Sequence, residues 1–241
     1  MRLRVLAAVL MLAQGASAAV TLRGTASGDP TPGRTTTPGV VTNGDFSIFR
    51  IGSDGSIVGD GIDEHTFWIH DFSADPELAS IDRNTPLISA TLRLTLTPAA
   101  SPVRDRAAIF GLAEFQSPLF DAIPVDLTRT VAIDLCEIYS DLQILSTLFG
   151  SSPQLDPRIP QSGPGQLTLG YANDAVVSFA ELELVAVPEP GSGLLVALGL
   201  LPLTRRWTRA APRGSGPRLT QRTRAAASSA PGARGCDGSS P

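Results

Sequence analysis

Ile88-Ser89-Ala90-Thr91-Leu92-Arg93-Leu94-Thr95-Leu96-Thr97 is the stretch whose reading decides the fold. In an extended chain Ile88, Ala90, Leu92, Leu94 and Leu96 fall on one side and Ser89, Thr91, Arg93, Thr95 and Thr97 on the other, because successive side chains of a strand alternate. One face is predicted to be buried and the other wet, which is the pattern of an antiparallel sheet packed on a core. Pro98 to Pro102 closes the segment, since proline has no N–H to give to a ladder.

Upstream, Glu64 to Phe72 alternates in the same way, with Thr66, Trp68, His70 and Phe72 on one face and His65, Phe67, Ile69 and Asp71 on the other. The only two histidines of the chain, His65 and His70, therefore point to opposite sides and are not expected to share a metal. Asn43-Gly44 between Val40-Val41-Thr42 and Asp45 to Ile51 predicts a two-residue hairpin, and Asp54-Gly55 predicts a second one before Ser56 to Val58. Asp54, Asp60, Asp63 and Glu64 gather near glycines in the manner of a calcium loop, but without the ligand order or closing Glu of an EF-hand. Val20 to Leu22 is short enough for one small strand, and Gly24 to Gly39 reads as loop.

Downstream, Ala107 to Phe115, Arg129 to Leu135, Gln166 to Tyr171 and Val176 to Val187 are predicted strands. Between them the period changes. Leu135, Ile138, Leu142, Leu145 and Phe149 step by three and four residues, the apolar stripe of a helix over Cys136 to Leu148 ended by Gly150. Ser151 to Gly165, rich in proline, reads as a surface loop. Glu181 and Glu183 share a strand face at about 7 Å, a spacing that invites comparison with a glycosidase acid pair. Alternation with Leu182 and Leu184 explains them as a solvated face.

Composition sets the outer bounds. The 241 residues carry 19 basic and 23 acidic side chains, a formal net charge of -4, and every basic residue is arginine. The arginines crowd into the segment after Thr204 and leave an acidic body, which argues against nucleic acid as a partner, because phosphate binding needs clustered basic side chains. Arg2 and Arg4, the apolar run Val5 to Leu12 and the small residues Ala16-Ser17-Ala18 have the three parts of a secretory signal peptide, with cleavage after Ala18. There are two cysteines, Cys136 and Cys236. They fall on either side of the apolar run near the C-terminus, so no intrachain disulfide is expected.

Near that C-terminus Val187-Pro188-Glu189-Pro190 is followed by an apolar run from Leu194 to Leu203 and then by Arg205-Arg206-Trp207. The two prolines stop any strand ending at Val187. Gly191 to Leu203 as a helix reaches only about 20 Å, against about 30 Å of bilayer hydrocarbon, and the arginines read as a cytoplasmic flank. This three-part order resembles a PEP-CTERM sorting signal. The resemblance implies an exported protein of Gram-negative bacteria that make exopolysaccharide. It also implies a membrane protease-transpeptidase, exosortase, that recognises the Pro-Glu-Pro segment, removes the tail and passes the protein to the cell exterior. The residues that carry it are Val187, Pro188, Glu189, Pro190, Arg205 and Arg206; the sequence then continues to Pro241.

The expected protein is mainly β: an antiparallel, jelly-roll-like β-sandwich with one packed helix, an N-terminal signal helix and a C-terminal hydrophobic sorting helix. Residues 1–18 are the signal peptide, 19–39 a flexible linker, 40–186 the sandwich, 187–206 the sorting signal with its membrane helix, and 207–241 a disordered arginine-rich tail. The expected partners are exosortase, the inner membrane in transit, and exopolysaccharide; no cofactor, metal or catalytic residue is expected. A non-enzymatic surface or matrix protein is the leading reading. The alternatives are a carbohydrate-binding module, with Trp68, Tyr139 and Tyr171 as its stacking rings, and an extracellular hydrolase, for which no G-x-S-x-G or H-E-x-x-H is present. Trp68 and His70 discriminate, according to whether they face solvent or pack inward.

Overall fold

The computed structural model describes residues 18–188, apart from 38, 51–56, 102–104 and 151–155. The expected signal helix, sorting helix and tail lie outside the described residues. The chain is mainly β, with two antiparallel sheets and few helices.

The strands are β1 (Val20–Ser27), β2 (Val41–Asn43), β3 (Phe46–Arg50), β4 (Glu64–Asp71), β5 (Leu87–Pro98), β6 (Arg106–Ile109), β7 (Phe115–Gln116), β8 (Arg129–Asp134), β9 (Gln166–Asn173) and β10 (Ala175–Ala186). One sheet has the order β1-β10-β5-β8 and the other the order β2-β3-β4-β9-β6-β7. Leu92, Leu94 and Leu96 of β5 and Leu182 and Leu184 of β10 are buried from the first sheet, and Phe46, Ile48, Trp68, Leu167 and Leu169 from the second. All belong to one hydrophobic cluster. Each such side chain contributes about 1.5–3 kcal/mol of burial.

The alternation of Ile88 to Thr97 holds from Ala90 onward, but Leu87 is buried and Ile88 exposed. The cause is a bulge. β10 pairs Val185 with Ser89 and then Ala186 with Leu87, so the strand carries one extra residue and its faces exchange.

Several other expectations are corrected. Residues 19–39 are not a linker throughout: β1 runs to Ser27 and pairs along its length with β10, from Val20 opposite Ala186 to Ser27 opposite Phe179. Its inward face includes Gly24, where an added Cβ would stand 2.9 Å from the Cβ of His70. The first hairpin turns one residue later than expected, with Asn43 opposite Phe46 and Gly44 at φ +60, as a tight turn with glycine in its first central position requires. The Asp54-Gly55 turn lies outside the described residues, and Val58 bridges Thr35 instead. Ala107 to Phe115 is the β6–β7 hairpin, with Gly111 at φ +94 between its strands.

The predicted helix begins later, at Asp141, and runs to Leu148. Ser140 and Gln143 form a reciprocal capping box there, satisfying two backbone donors that a helix start leaves open. Leu135–Glu137 is a separate 3-10 turn. Cys136 is disulfide-bonded, which corrects the expectation that the chain forms no bridge; Cys236, the only other cysteine of the sequence, lies outside the described residues.

Candidate functional site

The residues expected to be processed sit at the two ends of the folded body. Ala18 is exposed, two positions ahead of β1. At the other end β10 stops at Ala186, and Val187 donates its N–H to the Pro86 carbonyl at 3.1 Å. Pro188 follows, half-buried. Because Val20 pairs with Ala186, the chain enters and leaves the first sheet at the same end of two neighbouring strands. Ala16, Glu189, Pro190, Arg205 and Arg206 lie outside the described residues.

The three rings proposed for sugar stacking are all internal. Trp68 is fully buried, packs edge-on to Phe46 with ring centres 5.6 Å apart, and donates Nε1–H to His70 Nε2 at 2.9 Å. Tyr139 is buried and gives its hydroxyl hydrogen to the Ala113 carbonyl at 2.6 Å, tying down the β6–β7 loop. Tyr171 is buried and donates to Asp105. Trp68 and His70 thus pack inward, and neither forms a solvent-facing site beside Asp71.

His70 accepts from Trp68 at Nε2, so in its neutral form it carries its proton at Nδ1, and Nδ1 has no partner. Burial lowers its pKa to about 4, because charging a ring in the core forfeits its hydration. His65, across the strand, is half-exposed, and partial burial also pushes its pKa down.

The carboxylates raised as a calcium loop have other work. Glu64 is buried and accepts backbone N–H groups from Gly59, from Asp60 at 3.1 Å and from Gly61 at 3.1 Å. Burial raises its pKa, while these three donors hold it back. Asp63 pairs with Arg50 at 3.3 Å. Glu181 and Glu183 are held by arginines: Arg93 reaches Glu181 at 2.6 Å, and Arg23 pairs with Glu183 and lies 3.9 Å from Glu181. A second buried acid, Asp105, takes the Tyr171 hydroxyl and the Asp174 N–H, and burial raises its pKa. Among the described residues no group of three or more His, Cys, Asp or Glu side chains stands together as a metal site.

One cluster escaped the sequence reading. On the outward face of the second sheet Phe49, His65 and Phe67 lie with nearly parallel rings: 14° between Phe49 and His65, and 12° between Phe49 and Phe67 and between His65 and Phe67. Their centres are 5.5 to 6.3 Å apart. The Arg158 guanidinium sits over Phe49, 4.5 Å from its ring centre, and is held there by Asp156. Beside His65 and Phe67 is a shallow depression, walled by Arg106 and Glu114 and floored by Gly170 and Ala172. The sequence signal was present: His65 and Phe67 fall on the face of β4 that alternation leaves wet.

No family model matches this chain, and no curated protein and no solved structure matches it. Among the described residues no helix is long and apolar enough to cross a membrane.

Proposed function

We propose that the chain is an exported, non-enzymatic protein of the cell surface or exopolysaccharide matrix, processed by an exosortase at its PEP-CTERM-like signal after passage through the inner membrane. The observation that carries this reading is the match between the fold's limits and the expected processing points. The first strand begins at Val20, just after the signal-peptide cut expected beyond Ala18, and the last ends at Ala186, just before Pro188. Removing both ends would take no residue from either sheet.

The finer architecture belongs to the same proposal. The two sheets are an antiparallel sandwich of jelly-roll type, since the chain passes from one sheet to the other at each step from β4 to β5, to β6, and again from β8 to β9 to β10. Such a body leaves both chain ends at the same end of two neighbouring strands.

Pro188 and Pro190 have no N–H to give to a sheet ladder, and Glu189 between them is the side chain that the enzyme is proposed to read. In cells that export the protein, Glu189→Ala is expected to leave the full-length precursor as the main species on a gel, with the body's thermal unfolding unchanged. Processing of this variant at the normal rate would remove the assignment.

A further inference from the structure

The outward face of the second sheet carries three aromatic rings, of which Phe49 is fully buried while His65 and Phe67 are half-buried. A sheet face turned to solvent is normally polar. Here Phe49, His65 and Phe67 occupy adjacent outward positions on β3 and β4, with Phe49 directly opposite His65. The Arg158 guanidinium stands over the ring of Phe49, so that ring shows a face to the loop side of the sheet. The His65 and Phe67 rings are 12° from parallel, so their faces turn the same way. Phe49 is covered by Arg158, while His65 and Phe67 border the open depression.

The neighbouring strand is shaped to allow this. Gly170 of β9 lies opposite Phe67, and a Cβ there would stand 2.6 Å from the Phe67 ring. Any larger residue at 170 would lift the ring from the sheet. Phe110 then holds Phe67 edge-on, with ring centres 6.3 Å apart.

The polar wall is a charge pair. Arg106 and Glu114, joined at 2.9 Å, have side chains 44% and 51% exposed, so their outer N–H groups and carboxylate oxygens remain open to a ligand. The wall supplies donors and acceptors side by side and adds no net charge. A phosphate or a uronate would meet Glu114 unfavourably, and a cationic peptide would meet Arg106. A neutral hydroxylated ring complements both, because each hydroxyl gives and takes a hydrogen bond while its C–H face covers an aromatic ring.

We propose that this depression is a binding site for one pyranose unit of a neutral polysaccharide. The sugar's C–H face lies on Phe67 and His65, and its hydroxyls are taken by Arg106 and Glu114. The site stands independently of the sorting signal, because none of its residues belongs to either terminal segment.

The test is calorimetric titration of the purified full chain with neutral hexasaccharides of glucose, mannose and N-acetylglucosamine, and with a hexauronate. At least one neutral hexasaccharide is expected to bind saturably, with affinity falling at least tenfold in Phe67→Ala and in Arg106→Ala and unchanged in Arg93→Ala on the other sheet. Arg106 is exposed, so its substitution should leave the fold intact even if Phe67→Ala unfolds. No binding by any neutral hexasaccharide, stronger binding of the hexauronate, or affinity unmoved by Arg106→Ala would each overturn the proposal.

Discussion

The two sheets share one core but solve different problems. In the first, β5 and β10 alternate leucine or alanine inward with threonine, arginine and glutamate outward. Its wet face is closed by pairs such as Arg93–Glu181 and Thr95–Thr130. Packing and solvation account for these positions from Ala90 to Thr97 and from Ala180 to Leu184, while Ile88 stays exposed beside the bulge. In the second sheet, strands are shorter, Glu64 and His70 are buried on the inner side of β4, and aromatic rings occupy the outer side. Burying Glu64 and His70 carries a desolvation cost that their hydrogen bonds offset. On the outer side the half-buried rings of His65 and Phe67 border an open depression, which places the proposed binding site on this sheet and not on the first.

The sharpest way to test the contrast is to compare one substitution of each kind. Leu94→Ala, in the regular sheet, removes a fully buried side chain and is expected to lose about 2–5 kcal/mol in denaturant unfolding through lost burial and a residual cavity. Glu64→Ala, in the other sheet, removes little apolar volume but leaves the N–H groups of Gly59, Asp60 and Gly61 without their acceptor. A loss of about 2–3 kcal/mol is expected, with the damage in the Val58–Asp63 loop seen by amide hydrogen exchange. If Glu64→Ala is silent, the second sheet's polar groups are not structural.

His70 adds a pH signature. Its folded pKa of about 4 lies below the ordinary 6.5, so the unfolded chain binds more protons between these values. This contribution to stability is intact above about pH 6.5 and is lost as pH falls toward 4, to a total of about 3 kcal/mol. The raised carboxyls of Glu64 and Asp105 act with the opposite sign, favouring the fold while protonated. His70→Leu should flatten this acid slope while lowering stability at neutral pH, because the Trp68 N–H loses its acceptor. An unchanged slope would show that His70 is not the group that titrates. The smallest effect belongs to the first sheet's surface: Arg93→Ala should change stability by no more than about 1 kcal/mol, and less in high salt.

What the sequence disclosed follows the same division. β5 and β10 were legible because leucine alternates regularly between the two register shifts of their pairing, over Leu92 to Leu96 and Leu182 to Leu184. β1 was hidden because its inner positions include Gly24 and Ala26, kept small where His70 and Phe72 press against the strand. Alternation of small residues carries little hydrophobic signal. The helix start at Asp141 was written in Ser140 and Gln143, but the apolar stripe from Leu135 ran across it and masked the cap. The bulge at Ile88 depends on the register with β10, which one strand does not reveal. The ring cluster needed the most: the pairing of β3 with β4 and of β4 with β9 brings Phe49, His65, Phe67 and Gly170 together from three separated segments.

The measurement that tests the central claim most directly is the intact mass of the exported protein, from cells with and without the sorting protease, before and after reduction. Reduction matters because Cys136 is disulfide-bonded, and any chain joined through that bond adds its mass until the bond is broken. The account predicts a reduced species that starts near Ala19, ends near the Pro-Glu-Pro segment, and is lost without the protease. A chain that keeps its residues through Pro241 after reduction, whether or not the protease is present, would contradict it.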